Sequence, residues 1–150
     1  MIQSHRISTI VSTTACLALL VASAACGRKA DTTGTTTTNT GVRVTDVSLG
    51  RAIGGDKAIT DKTDTFKPND TIYASVATDG SALSATVRAK WTFEDGQVVN
   101  DSTQTLTPSK PERTEFHISK PDGWPAGKYK VEVFLDNQSA GTKDFAVRAG

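Results

Sequence analysis

Side chains able to do chemistry are few and scattered in this chain. Its cysteines are Cys16 and Cys26, its histidines His5 and His117. A thiolate is a nucleophile and a soft metal ligand. These two thiols, however, lack the paired Cys/His spacing of a zinc site. Nucleophilic catalysis needs a base held beside the nucleophile, and His117 is the one histidine outside the amino-terminal segment. In "RTEFHIS" its neighbours Phe116 and Ile118 point the other way, so it is expected to face solvent. No Gly-x-Ser-x-Gly elbow and no His-Glu-x-x-His occur. Asp56, Asp61 and Asp64 cluster, with Asp46 nearby, but not at the positions of an EF-hand loop. They read as solvated carboxylates, with a loop calcium site as the sharper alternative. Glu94-Asp95 reads as turn chemistry. Three Asn-x-Ser/Thr sequons, at Asn69, Asn100 and Asn137, matter only in a eukaryotic host. The expectation is no catalytic residue, no metal site, no cofactor and no enzyme activity.

Charge sets a second bound. Seventeen basic residues meet sixteen acidic ones in 150, for a formal net charge of +1. A nucleic-acid binder needs a marked basic excess, so none is expected. Hydrophobic residues make up 37% of the chain. A polar stretch at residues 27–41 accounts for much of that low figure.

The elements that would position any site begin with an export signal. His5 and Arg6 form a thin charged region, and residues 7–22 are moderately apolar. Ser8, Thr9, Ser12, Thr13 and Thr14 interrupt the run. A membrane-spanning helix wants about 20 predominantly apolar residues, so a cleaved signal fits better. Ser23, Ala24, Ala25 and Cys26 close it. This arrangement resembles the bacterial lipoprotein signal, in which small residues precede an acylated cysteine. It departs from the family at Ser23, where Leu is preferred. The resemblance implies lipid on Cys26 at the start of the mature chain. A free thiol after ordinary cleavage and an uncleaved anchor are the alternatives. The mature chain would then keep one cysteine and no internal disulfide. Two or more acyl chains hold a protein on a bilayer far more firmly than one. Gly27, where enteric lipoproteins retained at the inner membrane carry Asp, leans the location towards the outer membrane.

Residues 27–41 contain "TTGTTTTNTG" and no aromatic or large aliphatic side chain. Such a stretch cannot bury enough apolar surface to offset its ordering entropy. It reads as a tether about 20 Å across as a flexible coil; a glycosylated threonine tract is the alternative.

From Val42 onward the pattern has period two. "TIYASVA" puts Ile72, Ala74 and Val76 on one side, and "TVRAKWTF" does the same for Val87, Ala89, Trp91 and Phe93. "KYKVEVFL" turns Tyr129, Val131, Val133 and Leu135 inward, and "KDFAVR" offers Phe145 and Val147. "VRVTDVSL" slips between Val42/Val44 and Val47/Leu49, which predicts a bulge or a change of sheet. Turns are expected at "KPND", "EDGQ" and "DNQSAG", and Gly54-Gly55 is expected to precede a short edge strand. Helix should be scarce.

Trp91 on a core strand, and Tyr129 two residues before the inward Val131, match the pattern of immunoglobulin-like sandwiches. Residues 42–150 resemble the bacterial Ig-like domains of envelope and surface proteins, which often fill the disulfide positions with aliphatics. The resemblance implies an all-β, immunoglobulin-like antiparallel β-sandwich of about 7–9 strands. The domain plan is then signal 1–25, acylated cysteine and tether 26–41, and sandwich 42–150. If the Trp91, Tyr129 and Phe145 strands share a sheet, one outward face carries Arg88, Lys90, Lys128, Lys130, Phe134 and Arg148, relieved by Glu132 and Asp144. It is either a candidate binding face for a protein or an anionic envelope polymer, or a solubilising surface. Trp124, in "PDGWPAG", is a candidate loop contact or a cover for the end of the sandwich. The expected role is non-enzymatic: a lipid-anchored protein of the bacterial cell envelope, its domain in the periplasm or at the surface, that binds, adheres or joins an assembly. The alternative is an envelope-anchored hydrolase inhibitor that inserts "TPSKPERTE" or "KPDGWPAGK".

Overall fold

The computed structural model describes residues 41–149. The stretches read as signal and tether, with Cys26, lie outside them up to residue 40. Eight strands and no helix occur among the described residues: β1 (Val42–Gly50), β2 (Thr65–Phe66), β3 (Ile72–Gly80), β4 (Ala85–Phe93), β5 (Gln97–Leu106), β6 (Glu112–Ile118), β7 (Gly127–Leu135) and β8 (Gln138–Val147). They form a three-stranded sheet in the order β1-β3-β6 and a five-stranded sheet in the order β2-β8-β7-β4-β5. With β1, β3 and β6 as strands A, B and E, and β4, β7 and β8 as C, F and G, this is the immunoglobulin-like order. Every pairing is antiparallel except that of the two-residue β2 with β8.

Alternation explains the packing. Ile72, Ala74, Val76, Val87, Ala89, Val131 and Val133 are all fully buried, as are Phe116, Phe145 and Val147 within a few per cent. The slip in β1 is a bulge: pairing with β3 skips Thr45, between Val44 and Asp46. It lets Val42 and Val47, an odd number of positions apart, both turn inward.

Aromatic rings hold the middle of the sandwich. Trp91 is 0% exposed and meets Phe145 edge-on, with centroids 5.8 Å apart. Phe145 in turn meets Phe66 edge-on at 5.5 Å and stacks on Tyr129 at 5.3 Å. Such geometries add about 0.5–1.5 kcal/mol per pair beyond area burial. Among the described residues the Trp91 indole N–H has no hydrogen-bond partner, and its contacts there are those of ring packing. Tyr129 donates its hydroxyl to the Pro125 carbonyl at 2.8 Å, the corner expected of this fold. A Cβ on Gly127 would come within 2.5 Å of Phe93. Only glycine lets β7 enter the sheet that close to β4.

Two connections differ from the sequence expectation. "DNQSAG" is not a six-residue loop. Asp136 and Asn137 alone turn, both at positive φ (47° and 67°), and Gln138 already begins β8. Two positive-φ residues match the twist of a tight hairpin. Gly54-Gly55 lies in a turn, but no strand follows at once; isolated bridges join Ile53 to Ile59 and Gly50 to Lys62 before β2 forms. This excursion folds over the outer side of the three-stranded sheet, where the buried Ser75 hydroxyl donates to the Lys57 carbonyl at 2.6 Å. Arg51 closes it on Asp61 with two hydrogen bonds of 2.9 and 3.2 Å. That bonding, with the carboxylate's charge, raises the Arg51 pKa.

Burial of the Tyr129 hydroxyl, and secondarily the charge of Glu94, raise its pKa above the usual 10.0. The unfolded chain therefore releases this proton first, and stability falls as pH rises from about 10. Urea-unfolding midpoints across alkaline pH should show that decline in the native protein and a smaller one in Tyr129→Phe. At neutral pH Tyr129→Phe should cost about 1 kcal/mol, and Trp91→Ala about 3–5 kcal/mol.

Candidate binding face

The five-stranded sheet brings the six predicted face residues together. β4 and β7 pair Arg88 with Phe134, Lys90 with Glu132 and Thr92 with Lys130. β7 and β8 pair Lys128 with Ala146 and Lys130 with Asp144. Directly opposed side chains share a face, so Arg88, Lys90, Lys128, Lys130 and Phe134 stand together. Arg148 follows the last strand, its N–H bonded to the Phe66 carbonyl at 3.0 Å, and lines one cleft with Lys128 and Asp144.

This face is less basic than its strands suggested. β5 adds Asp101 directly opposite Lys90 and Thr103 opposite Arg88. Asp101 lies 3.7 Å from the Arg88 Nε. The Arg88 guanidinium also lies over the Phe134 ring, 4.2 Å from its centroid. Phe134 is therefore half-buried beneath a cation, rather than a bare aromatic. Asp101 escaped the sequence reading because "VVNDSTQTL" shows no apolar alternation. Only its pairing with β4 assigns it to this face.

Lys90 and Lys130 thus sit in rows with carboxylates, whereas Lys128 and Arg148 mark a basic end. Next to that end is a cleft of about 460 Å³, with Asp64, Thr65 and Asp144 on its walls. None of Lys90, Lys128, Lys130 and Arg148 forms an ion pair among the described residues.

Trp124 is turned into the fold rather than out from its loop. It is 7% exposed and packs edge-on against Tyr129, 6.2 Å between centroids. Its backbone N–H donates to the Pro68 carbonyl at 2.7 Å and its indole N–H to the Asp70 carbonyl at 3.1 Å. Trp124 covers the end of the sandwich and pins the "KPND" turn. Trp124 also lines a cleft of about 430 Å³, together with Phe93, Val98, Val99, Lys120 and Tyr129. Of its lining the sequence singles out Trp124 as a contact; the rest comes together only because the β4–β5 hairpin meets the end of β6. The other loop considered for insertion is also tied: Pro108 is buried and its carbonyl accepts the Ala82 N–H at 2.9 Å.

His117 is exposed, as expected, with Nδ1 2.6 Å from the Glu115 carboxylate. No group of three or more His, Cys, Asp or Glu side chains able to hold a metal ion occurs among the described residues. The described residues contain no helix long and apolar enough to cross a membrane.

No protein-family profile matches this chain, and no curated protein matches it significantly. Solved structures do. An immunoglobulin-like protein from Pseudomonas aeruginosa is 15% identical, with 71% of this chain and 96% of that one covered at a TM-score of 0.47. A CARDB domain from Pyrococcus furiosus, solved with di-metal ions, is 17% identical over 70% of this chain and 88% of that one, TM-score 0.40. A DNA-bound alkylpurine DNA glycosylase from Pseudomonas fluorescens is 16% identical over 72% of this chain, TM-score 0.47. This chain spans only 30% of the glycosylase's length. At such identities and TM-scores, none of the three bears on what this chain binds or does.

The Arg88–Phe134 contact should be measurable. A double-mutant cycle with Arg88→Ala and Phe134→Ala, read by denaturant unfolding, should give a coupling of about 0.5–1 kcal/mol.

Proposed function

We propose that this protein is a lipid-anchored component of a bacterial cell envelope, with a non-enzymatic binding role exercised by the outer face of its five-stranded sheet. The anchor rests on the sequence: an apolar run closed by Ser23, Ala24, Ala25 and Cys26, then a threonine-rich stretch without large apolar side chains. The observation that carries the binding role is the basic end of the face. Lys128 and Arg148 stand there without ion-pair partners among the described residues, beside lysines set in rows with Glu132 and Asp144.

A ligand for such a surface is anionic and extended, either an acidic envelope polymer or an acidic stretch of a partner protein. Exposed lysines steer such partners over a range set by ionic strength. A lipid at Cys26 would keep the domain within reach of polymer anchored in the same envelope. No residue on this face is placed to act as a nucleophile with a base. Trp124 and Pro108, one residue from each of the two loops that an inhibitor would insert, are spent on packing; the loss of Trp124, the largest side chain of either loop, as an insertion anchor favours the binding face over the inhibitor.

Two measurements test the two halves separately. Mass spectrometry of protein extracted from cell membranes should show the mature chain starting at an acylated Cys26; a bare thiol there, or a freely soluble product, defeats the anchor. Crosslinked envelopes should yield partners with the native protein that are lost when Lys128, Lys130 and Arg148 are all changed to Glu. Equal recovery by both defeats the binding face, whatever the state of Cys26.

A further inference from the structure

The four outer edges of the sandwich are not equally protected. The edge of β1 is covered at its end, where Thr63 N–H bonds the Leu49 carbonyl at 3.2 Å and Gly50 bridges to Lys62. The edge of β6 is short and charged, and its Glu115 carbonyl takes a 2.6 Å hydrogen bond from the Gln104 side chain. The edge of β8 is covered by β2 at Ala146 and Val147. Further along, Lys143 lies in register with the core residue Val131, so it points to the inner side of the sheet yet is exposed. Inward charges, short strands and covering segments are the means by which sheet edges avoid pairing with other chains.

β5 has none of these over most of its length. It is ten residues long, contains neither Lys nor Pro, and has Asp101 as its single charge. Its bulge, at Val99, lies near one end. From Asn100 to Leu106 it keeps unbroken register with β4, and no described strand lies on its other side. Asn100, Asp101, Thr103 and Thr105 are exposed.

We propose that this edge pairs with the same edge of a second copy of the chain, antiparallel, about a two-fold axis at Thr103. In that register Thr103 faces Thr103 of the second copy, and Ser102 faces Gln104. Asp101 faces Thr105, so no two carboxylates oppose each other, and each Asp101 keeps its own Arg88 at 3.7 Å. Threonine pairs and hydroxyl–amide contacts across strands are favourable. The arrangement is isologous, so one patch serves both partners. It joins the two five-stranded sheets into one and sets both candidate binding faces on the same side. The proposal concerns assembly alone and stands whether or not that face binds a polymer.

The test uses the full chain in cell membranes, with native cysteines retained. Under mild oxidation, Thr103→Cys should form a disulfide-linked dimer on non-reducing gels well beyond the native background. Directly opposed positions suit disulfide geometry. Leu83→Cys, at 95% exposure, controls for random collision and should give little. Thr103→Glu keeps its own neighbour Arg88 but sets two carboxylates on the axis. It should weaken association of the detergent-purified chain by about a hundredfold in sedimentation equilibrium. No dimer from Thr103→Cys, an equal yield from Leu83→Cys, or association of Thr103→Glu as tight as native would each overturn the proposal.

Discussion

The bond from the Tyr129 hydroxyl to the Pro125 carbonyl fixes how the chain enters β7, and most of the sandwich follows from that entry. Without a disulfide between the sheets, something else must set the level at which β7 meets its neighbours. The tyrosine does so from two ends. Its hydroxyl ties the preceding loop, and its ring stacks on Phe145 of β8 and tilts against Phe93 of β4, 4.7 Å between centroids. One side chain thus registers three adjacent strands. Trp124 extends the same restraint to the far loop, since it touches Tyr129 and bonds the turn before β3. The corner is therefore a link between sheets as well as a local turn.

Once β7 is set, period two decides the rest. Val131 and Val133 must face the other sheet, and Lys128, Lys130, Glu132 and Phe134 must face away. A shift of one residue would exchange the two sets. Burial of the valines and of Leu135 opposes that shift far more strongly than any contact among the charged residues. The outer face is in this sense a product of the core.

Its charge pattern, by contrast, depends on neighbours. Lys90 lies between Glu132 and Asp101 only because β4 runs between β7 and β5. Arg88 lies over Phe134 for the same reason. Rows of opposite charge moderate the field of the face and leave its basic character concentrated at the Lys128 and Arg148 end. The sheets' unequal size has a related effect. With three strands facing five, β5 has a less complete partner layer, and Gln104 crosses to β6 where a further strand would otherwise lie.

Much of this was legible in the residues themselves. Strands with strict alternation, the Trp91 and Tyr129 positions, the slip in β1 and the six face residues could all be read, because each is a local pattern imposed by pleat and burial. The sequence by itself determined which side of the alternating strands is inner and where the turns fall to within a few residues. Only the tertiary structure decided that Trp124 is a cover, that β5 supplies Asp101, and that the "DNQSAG" hairpin closes in two residues. Those facts depend on which strands are neighbours and on how closely backbones approach. Alternation along one strand carries no information about the strand beside it.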